Sequence, residues 1–138
     1  MSVVSDPGRG SPGTRERSRR SRVLIAEDDE SLRTLLRLSV DNGELDIDEA
    51  VDGETALELA RRNPPDVVLL DWMMPGVSGL DVCRTLRADA RTAAALIVIV
   101  TARSGAGDRD AALAAGADQY VAKPFSPVEL LEAVRHVL

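Results

Sequence analysis

Short runs of consecutive apolar residues alternate along this chain with stretches whose apolar positions recur at helical spacing. From position 22 the alternation repeats roughly every 20–25 residues. Strands are predicted at 23–26, 46–50, 67–70, 96–100 and 119–122. Three of them, VLIA, VVLL and LIVIV, are apolar at every position rather than every second one, as in strands covered by helices on both faces. Between the strands, Leu32, Leu35, Leu36 and Ser39 or Val40 form a helical stripe that stops near Asn42-Gly43. A second stripe, Ala56, Leu57, Leu59 and Ala60, is entered at Asp52 and closed by Asn63-Pro64-Pro65. Ser78-Gly79-Leu80-Asp81 resembles a capping box opening a third helix, with Leu80, Cys83 and Leu86 on its inner face. The fourth helix is Ala-rich and ends at Gly116. For the fifth, Ser126-Pro127-Val128-Glu129 supplies an N-cap, a first-turn proline and a return glutamate, followed by Leu130, Leu131, Val134 and Leu138. Strict strand–helix alternation predicts an α/β fold, a (βα)5 doubly wound sheet of five parallel strands.

Composition narrows the function classes. Trp72, Tyr120 and Phe125 are the only aromatic residues, so the core is built from Ala, Val, Leu and Ile, and platforms for stacking nucleic-acid bases are lacking. Cys83 stands alone, which excludes an intramolecular disulfide and a multi-cysteine metal site and fits a reducing cytoplasm. Cys83 is read as core packing and His136 as a partly exposed residue of the last helix. No apolar run reaches the ~20 residues of a membrane span, and the N-terminal residues show no secretory apolar region. Residues 1–22 hold six Arg against Asp6 and Glu16, a net charge of +4, whereas the remainder carries 11 basic and 21 acidic residues. Residues 1–21 read as a disordered, Arg-rich tail and 22–138 as one folded domain. The cluster Arg15, Arg17, Arg19, Arg20 and Arg22 is read as solvated, and the acidic body offers no footprint for DNA.

The carboxyl ends of parallel strands lie on one edge of the sheet, where ligands bind. That edge receives Glu27-Asp28-Asp29 from the first strand, Asp71 from the third, Thr101 from the fourth and Lys123 from the fifth. Lys123 is the only lysine of this chain, although Lys and Arg together number 17. An ammonium is a compact point charge that a planar guanidinium does not mimic. Glu27, Asp28 and Asp71 on neighbouring strands resist ionising together unless compensated. A divalent cation with oxygen ligands, such as Mg²⁺, would compensate them, and its open positions suit phosphoryl oxygens. A nucleophilic carboxylate, a metal, an ammonium and a hydroxyl around one point can hold a phosphoryl group on an aspartate. Lys123 precedes Pro124, where a cis bond is accessible and would turn the ammonium inward. Trp72 is read as loop packing.

The segments VLIAEDD, VVLLDWMMPGVSGLD, IVIVTA and GADQYVAKPF resemble, in order and spacing, the CheY-like receiver domain of bacterial two-component response regulators. The resemblance covers about residues 22–138. It implies the flavodoxin-like strand order 2-1-3-4-5 and a phosphorylation-dependent switch. In that scheme Asp71 accepts a phosphoryl group from a phosphohistidine of a sensor histidine kinase or histidine phosphotransfer protein. Asp28, Asp71 and the backbone carbonyl of Met73 bind Mg²⁺, or Mn²⁺ in its place, and Glu27 acts through water. Lys123 pairs with the phosphoryl group, Thr101 hydrogen-bonds to it, and Tyr120 changes rotamer as Thr101 moves. Met73 and Arg103, each two residues beyond a site residue, flank the path of the attacking water and tune dephosphorylation. Leu138 falls where the last helix should end, so a stand-alone receiver is favoured over one excised from a DNA-binding or enzymatic regulator. Gln119 and Ala133 stand near positions where many winged-helix regulators carry a dimer-forming Asp and Arg, which favours docking to a downstream protein over a phosphorylation-dependent homodimer. A small aspartyl-nucleophile phosphohydrolase would place an acid where Met73 stands. A nucleotide or flavin carrier would place a Gly-rich loop where EDDES stands. The expected character is a cytoplasmic phosphoacceptor signalling protein, not an enzyme.

Overall fold

A computed structural model of the chain describes residues 20–138. Five strands, β1 (Ser21–Ala26), β2 (Leu45–Ala50), β3 (Val67–Leu70), β4 (Leu96–Thr101) and β5 (Gln119–Ala122), alternate with five helices, α1 (Glu30–Val40), α2 (Gly53–Arg62), α3 (Gly79–Ala88), α4 (Asp108–Ala114) and α5 (Pro127–Val134). The strands form one parallel sheet in the order β2-β1-β3-β4-β5. This is the expected fold class and strand order.

The continuous apolar runs are explained by two cores. Leu24, Ala26, Val68, Leu70, Ile97 and Ile99 face one side of the sheet, where Ala56 and Ala60 of α2, Val82, Cys83 and Leu86 of α3 and Ala112 of α4 cover them. The intervening Val23, Ile25, Val67, Leu69, Val98 and Val100 face the other side, under Leu36 and Val40 of α1 and Leu130 and Val134 of α5. Side chains of a strand alternate between faces, so only a strand apolar throughout can supply both layers. Cys83 is fully buried in the first layer, where burial pushes its thiol up to about 11, and it serves as packing.

Several boundaries differ from the sequence expectation. Thr101 closes β4 instead of following it. The predicted tail lies outside the described residues up to position 19, whereas its last two residues belong to the fold. Ser21 begins β1, and the Arg20 guanidinium donates to the carbonyls of Gly43 (3.2 Å) and Leu45 (3.0 Å) and pairs with Asp46 (3.2 Å). Leu35 and Leu131 drop out of their stripes and are 38% and 42% exposed, because Leu36–Val40 and Leu130–Val134, spaced by four, already take the inner faces. Ser78 and Ser126 cap α3 and α5 by accepting the N–H of Asp81 and Glu129 (3.3 and 3.1 Å). The Asp81 carboxylate turns to Arg84 (2.8 Å) instead of returning to the cap. Among the described residues no helix is long and apolar enough to cross a membrane.

At the amino ends of the strands, Arg87 of α3 acts as a clamp. Its guanidinium donates to the carbonyls of Gly116 (2.8 Å), Ala93 (2.8 Å) and Ala95 (2.6 Å) and to the Asp118 carboxylate (2.7 Å). Asp118 in turn accepts the Ile97 N–H (2.9 Å), so one side chain joins α3, β4 and the entry to β5. Arg87→Ala leaves these carbonyls without their donor and is expected to lower stability by about 2–3 kcal/mol, with little recovery in Arg87→Lys. Urea unfolding measures this, and an unchanged midpoint would show that water substitutes fully for the guanidinium.

Candidate functional site

Backbone pairing places the first two carboxylates. The Glu27 N–H donates to Ala50 O and the Asp71 N–H to Ala26 O, both at 3.0 Å, so each residue extends the sheet one step past its strand. Glu27 and Asp71 therefore stand side by side, 1% and 6% exposed, with the exposed Asp28 following Glu27. Oxygens of Glu27, Asp28 and Asp71 all lie within 4.8 Å of one another. Asp29, the next acid, caps α1 by accepting the Leu32 N–H (3.0 Å). This separates the four-acid run 27–30 into a site part and a helix-starting part.

Lys123 enters from beyond β5. The Lys123–Pro124 peptide is cis, and the Lys123 N–H donates to Thr101 O (2.8 Å). Its Nζ lies 2.7 Å from Glu27 Oε1 and 3.0 Å from Asp71 Oδ2. Burial is the largest influence on both partners. It pushes the Glu27 carboxyl above its usual range, against the hydrogen bonds from Lys123 and from the Asp29 N–H. In Lys123 burial disfavours the charge, but the hydrogen bonds to Glu27 and Asp71 and the negative charges of both together outweigh it and hold the ammonium above the ordinary lysine value. Asp71 Oδ1, the oxygen that Lys123 does not hold, accepts the Met73 N–H (3.1 Å).

Close backbone approach shapes the loop after Asp71. The Gly79 N–H donates to Trp72 O (2.9 Å), and a Cβ on Gly79 would lie 2.2 Å from Asp71 O and 2.7 Å from Trp72 Cα. On the other side of the loop a Cβ on Gly53 would lie 2.2 Å from Val77 O. Both contacts are shorter than carbon can tolerate, so only glycine lets α2 and α3 press this loop into place. In the sequence Gly79 shows only as part of a cap, because the approach depends on where a distant chain segment runs.

The loop after β4 completes the rim. Thr101 is fully buried, and its Oγ1 accepts the Arg103 N–H (3.3 Å). The Tyr120 hydroxyl donates to Arg103 O. The Arg103 guanidinium lies 4.3 Å over the Trp72 ring, 3.9 Å from Met73 Sδ and 3.0 Å from Asp108. Trp72 thus packs against the loop, as expected, and also carries a cation that the sequence did not signal. Met73 is 56% exposed. A cleft of about 370 Å³ beside the carboxylates is lined by Asp28, Trp72, Met73, Met74, Pro75 and Ser78. A larger cavity of about 520 Å³ lies at the opposite edge of the sheet around Arg87 and Asp118, whose polar groups already hold each other and the backbone. The chemistry therefore belongs to the smaller cleft.

Three close carboxylates with oxygen as the donor atom fit a hard divalent cation that keeps part of its water shell, as Mg²⁺ does. Millimolar Mg²⁺ is expected to change the emission of Trp72, the sole tryptophan, because Trp72 directly follows Asp71 and lines the same cleft as Asp28. A flat fluorescence titration would count against the ion binding beside Trp72.

Comparison with known proteins places this geometry. Residues 23–135 match the family model described as the response regulator receiver domain. The phosphate regulon transcriptional regulatory protein PhoB of Rhizobium meliloti (strain 1021) is 39% identical over 117 residues, covering 85% of this chain and 52% of that protein. The DNA-binding response regulator MtrA of Mycolicibacterium smegmatis is 44% identical over 116 residues, covering 84% and 50%. The chain thus spans about half the length of these curated relatives. Among solved structures, the Francisella response regulator 1452 receiver domain superposes with a TM-score of 0.76 at 31% identity over 85% of this chain and 95% of that one. The Vibrio cholerae chemotaxis protein CheY4 gives a TM-score of 0.79 at 26% identity over 87% of this chain and all of the other.

Proposed function

This chain belongs to the response regulator receiver domain family, and we propose that it is a phosphorylation-operated switch whose acceptor is Asp71. The family is a signalling domain and not an enzyme of multiple turnover. The observation that carries the reading is the ammonium of Lys123 held between Glu27 and Asp71 at the edge where the three carboxylates meet.

The donor is a phosphohistidine of a sensor histidine kinase or histidine phosphotransfer protein. An Asp71 carboxylate oxygen attacks phosphorus, the P–N bond breaks with its electron pair left on the donor's nitrogen, and a proton taken up from solvent leaves that imidazole neutral. Asp28, Asp71 and the Met73 carbonyl would hold Mg²⁺, whose positive charge offsets that of the phosphoryl oxygens. Glu27, with one oxygen on Lys123 and the other on the Asp29 N–H, is suited to act on the ion through water. Lys123 shifts from Asp71 Oδ2 to a phosphoryl oxygen, which replaces one anionic partner by another. Thr101 Oγ1 leaves the Arg103 N–H to donate to a second phosphoryl oxygen. Because Arg103 O also receives the Tyr120 hydroxyl, that movement is passed to Tyr120 and the surface of α4, β5 and α5. Gln119 and Ala133 on this surface favour docking of a downstream protein over a charged homodimer. The DNA-binding and transcriptional roles in the relatives' names are those of the longer proteins. To this chain we assign the switch alone, acting in the cytoplasm.

Incubation with acetyl phosphate and Mg²⁺ is expected to add about 80 Da, one phosphoryl group, to the intact protein and nothing to Asp71→Asn. Turnover of the donor without an adduct would support a phosphohydrolase instead. The exposed Met73 side chain cannot orient a water by hydrogen bonding. The phosphorylated protein is therefore expected to outlive its Met73→Asn variant by about tenfold, some 1.4 kcal/mol of barrier. Equal lifetimes would remove Met73 from the timing of the switch.

A further inference from the structure

Resting on the reading of Glu27, Asp28 and Asp71 as a cation-assisted acceptor site, we propose that Arg33 of α1 is a positioning residue for that site. Its guanidinium pins the peptide between Glu27 and Asp28 and so sets how the carboxylates are presented to a divalent ion.

Arg33 Nη1 donates to Glu27 O at 3.0 Å, and Nε donates to Glu49 Oε1 at 2.9 Å. The second oxygen of Glu49 accepts from Arg37 Nη1 at 2.6 Å. The Arg33 side chain is only 15% exposed, so it lies against the protein and is not a solvated charge on the helix. The rest of Glu27 is already fixed: its N–H by Ala50 O, its carboxylate by Lys123 and the Asp29 N–H. Its carbonyl lies beyond the end of β1, where no further residue of β1 continues the ladder. A free carbonyl there would let the following peptide rotate and carry the exposed Asp28 away from its partners. Arg33 closes that freedom, and Glu49 on the edge strand β2 supplies the anchor. A chain of two side chains thus adds a second tie between β2 and the site, beside the Glu27 N–H on Ala50 O.

The role is geometric, and its sign distinguishes it from a charge effect. A cation near three carboxylates opposes binding of a second cation, so loss of Arg33 would tighten metal binding if charge alone mattered. Loss of the pin weakens it, by about tenfold, the lower end of the 10–100-fold typical for partners that orient metal ligands. A lysine keeps the charge but ends a flexible stem in one nitrogen, whereas here two separate nitrogens of a rigid planar fork, Nε and Nη1, meet Glu49 and the Glu27 carbonyl.

The test is binding of Mn²⁺, a paramagnetic stand-in for Mg²⁺, to the purified full chain, read from the electron paramagnetic resonance signal of the free ion, with urea midpoints in parallel. Arg33→Ala and Arg33→Lys are expected to weaken Mn²⁺ binding about tenfold. Arg33→Lys keeps the charge and much of the packing, so it serves even if the alanine variant does not fold. Arg37→Ala removes the other guanidinium from Glu49 without touching Glu27, and its Mn²⁺ affinity is expected to match the parent. Unchanged or tighter binding in the Arg33 variants, or an equal loss in Arg37→Ala, overturns the positioning role. Failure of the parent protein to bind Mn²⁺ overturns the acceptor-site reading itself.

Discussion

Two carboxylates set side by side at the end of a buried sheet repel each other, and the ammonium of Lys123 at 2.7 and 3.0 Å makes the arrangement stable. Its reach is long. Lys123 follows the last strand, its N–H pairs with Thr101 O of β4, and its Nζ meets the residues that follow β1 and β3, so one residue ties β5 and β4 to β3 and β1. The contact closes only if the strand order, the one-step extension of the ladder at Glu27 and Asp71, and the turn into Pro124 are all in place. The same ammonium holds Asp71 Oδ2, a contact that the proposed switch exchanges when Asp71 is phosphorylated.

The surrounding loops are fixed by other means. Around Asp71 the constraint is steric: the absent side chains of Gly79 and Gly53 let two helices lie against the loop backbone. Along the rim it is electrostatic, with Arg103 laid on Trp72 and tied to Asp108, whose carboxyl that hydrogen bond holds below the usual range. Rigidity is therefore concentrated beside Asp71, while the Arg103 contacts are more exposed and easier to exchange. That ordering suits the proposed switch, in which the carboxylates stay still and the outer loop moves.

Much of this was legible in the sequence, for physical reasons that can be named. VLIA, VVLL and LIVIV announce two-sided strands because both layers of the core draw on them. Glu27, Asp28, Asp71 and Thr101 are found at the shared edge because each follows or closes such a strand, and Lys123 because it follows β5 at the same edge. What was not legible depends on tertiary paths. Leu35 and Leu131 have the right chemistry for a core stripe, yet the faces were already filled. Arg33 looks like any arginine on an amphipathic helix until the carbonyl of Glu27 is seen beneath it. Arg20 reads as part of a polar tail, although its guanidinium is held by two carbonyls at the turn into β2.

The solitary lysine has a consequence for the chemistry of the whole molecule. Where most proteins spread their side-chain amines over the surface, this one concentrates them in a single nitrogen at the junction of its sheet, 13% exposed and flanked by two anions. Acylation of that nitrogen would remove the counter-charge between Glu27 and Asp71 and leave a bulky neutral group in its place. For this chain a side-chain amine modification is never a random surface event: it falls on the one ammonium that holds Glu27 and Asp71 together.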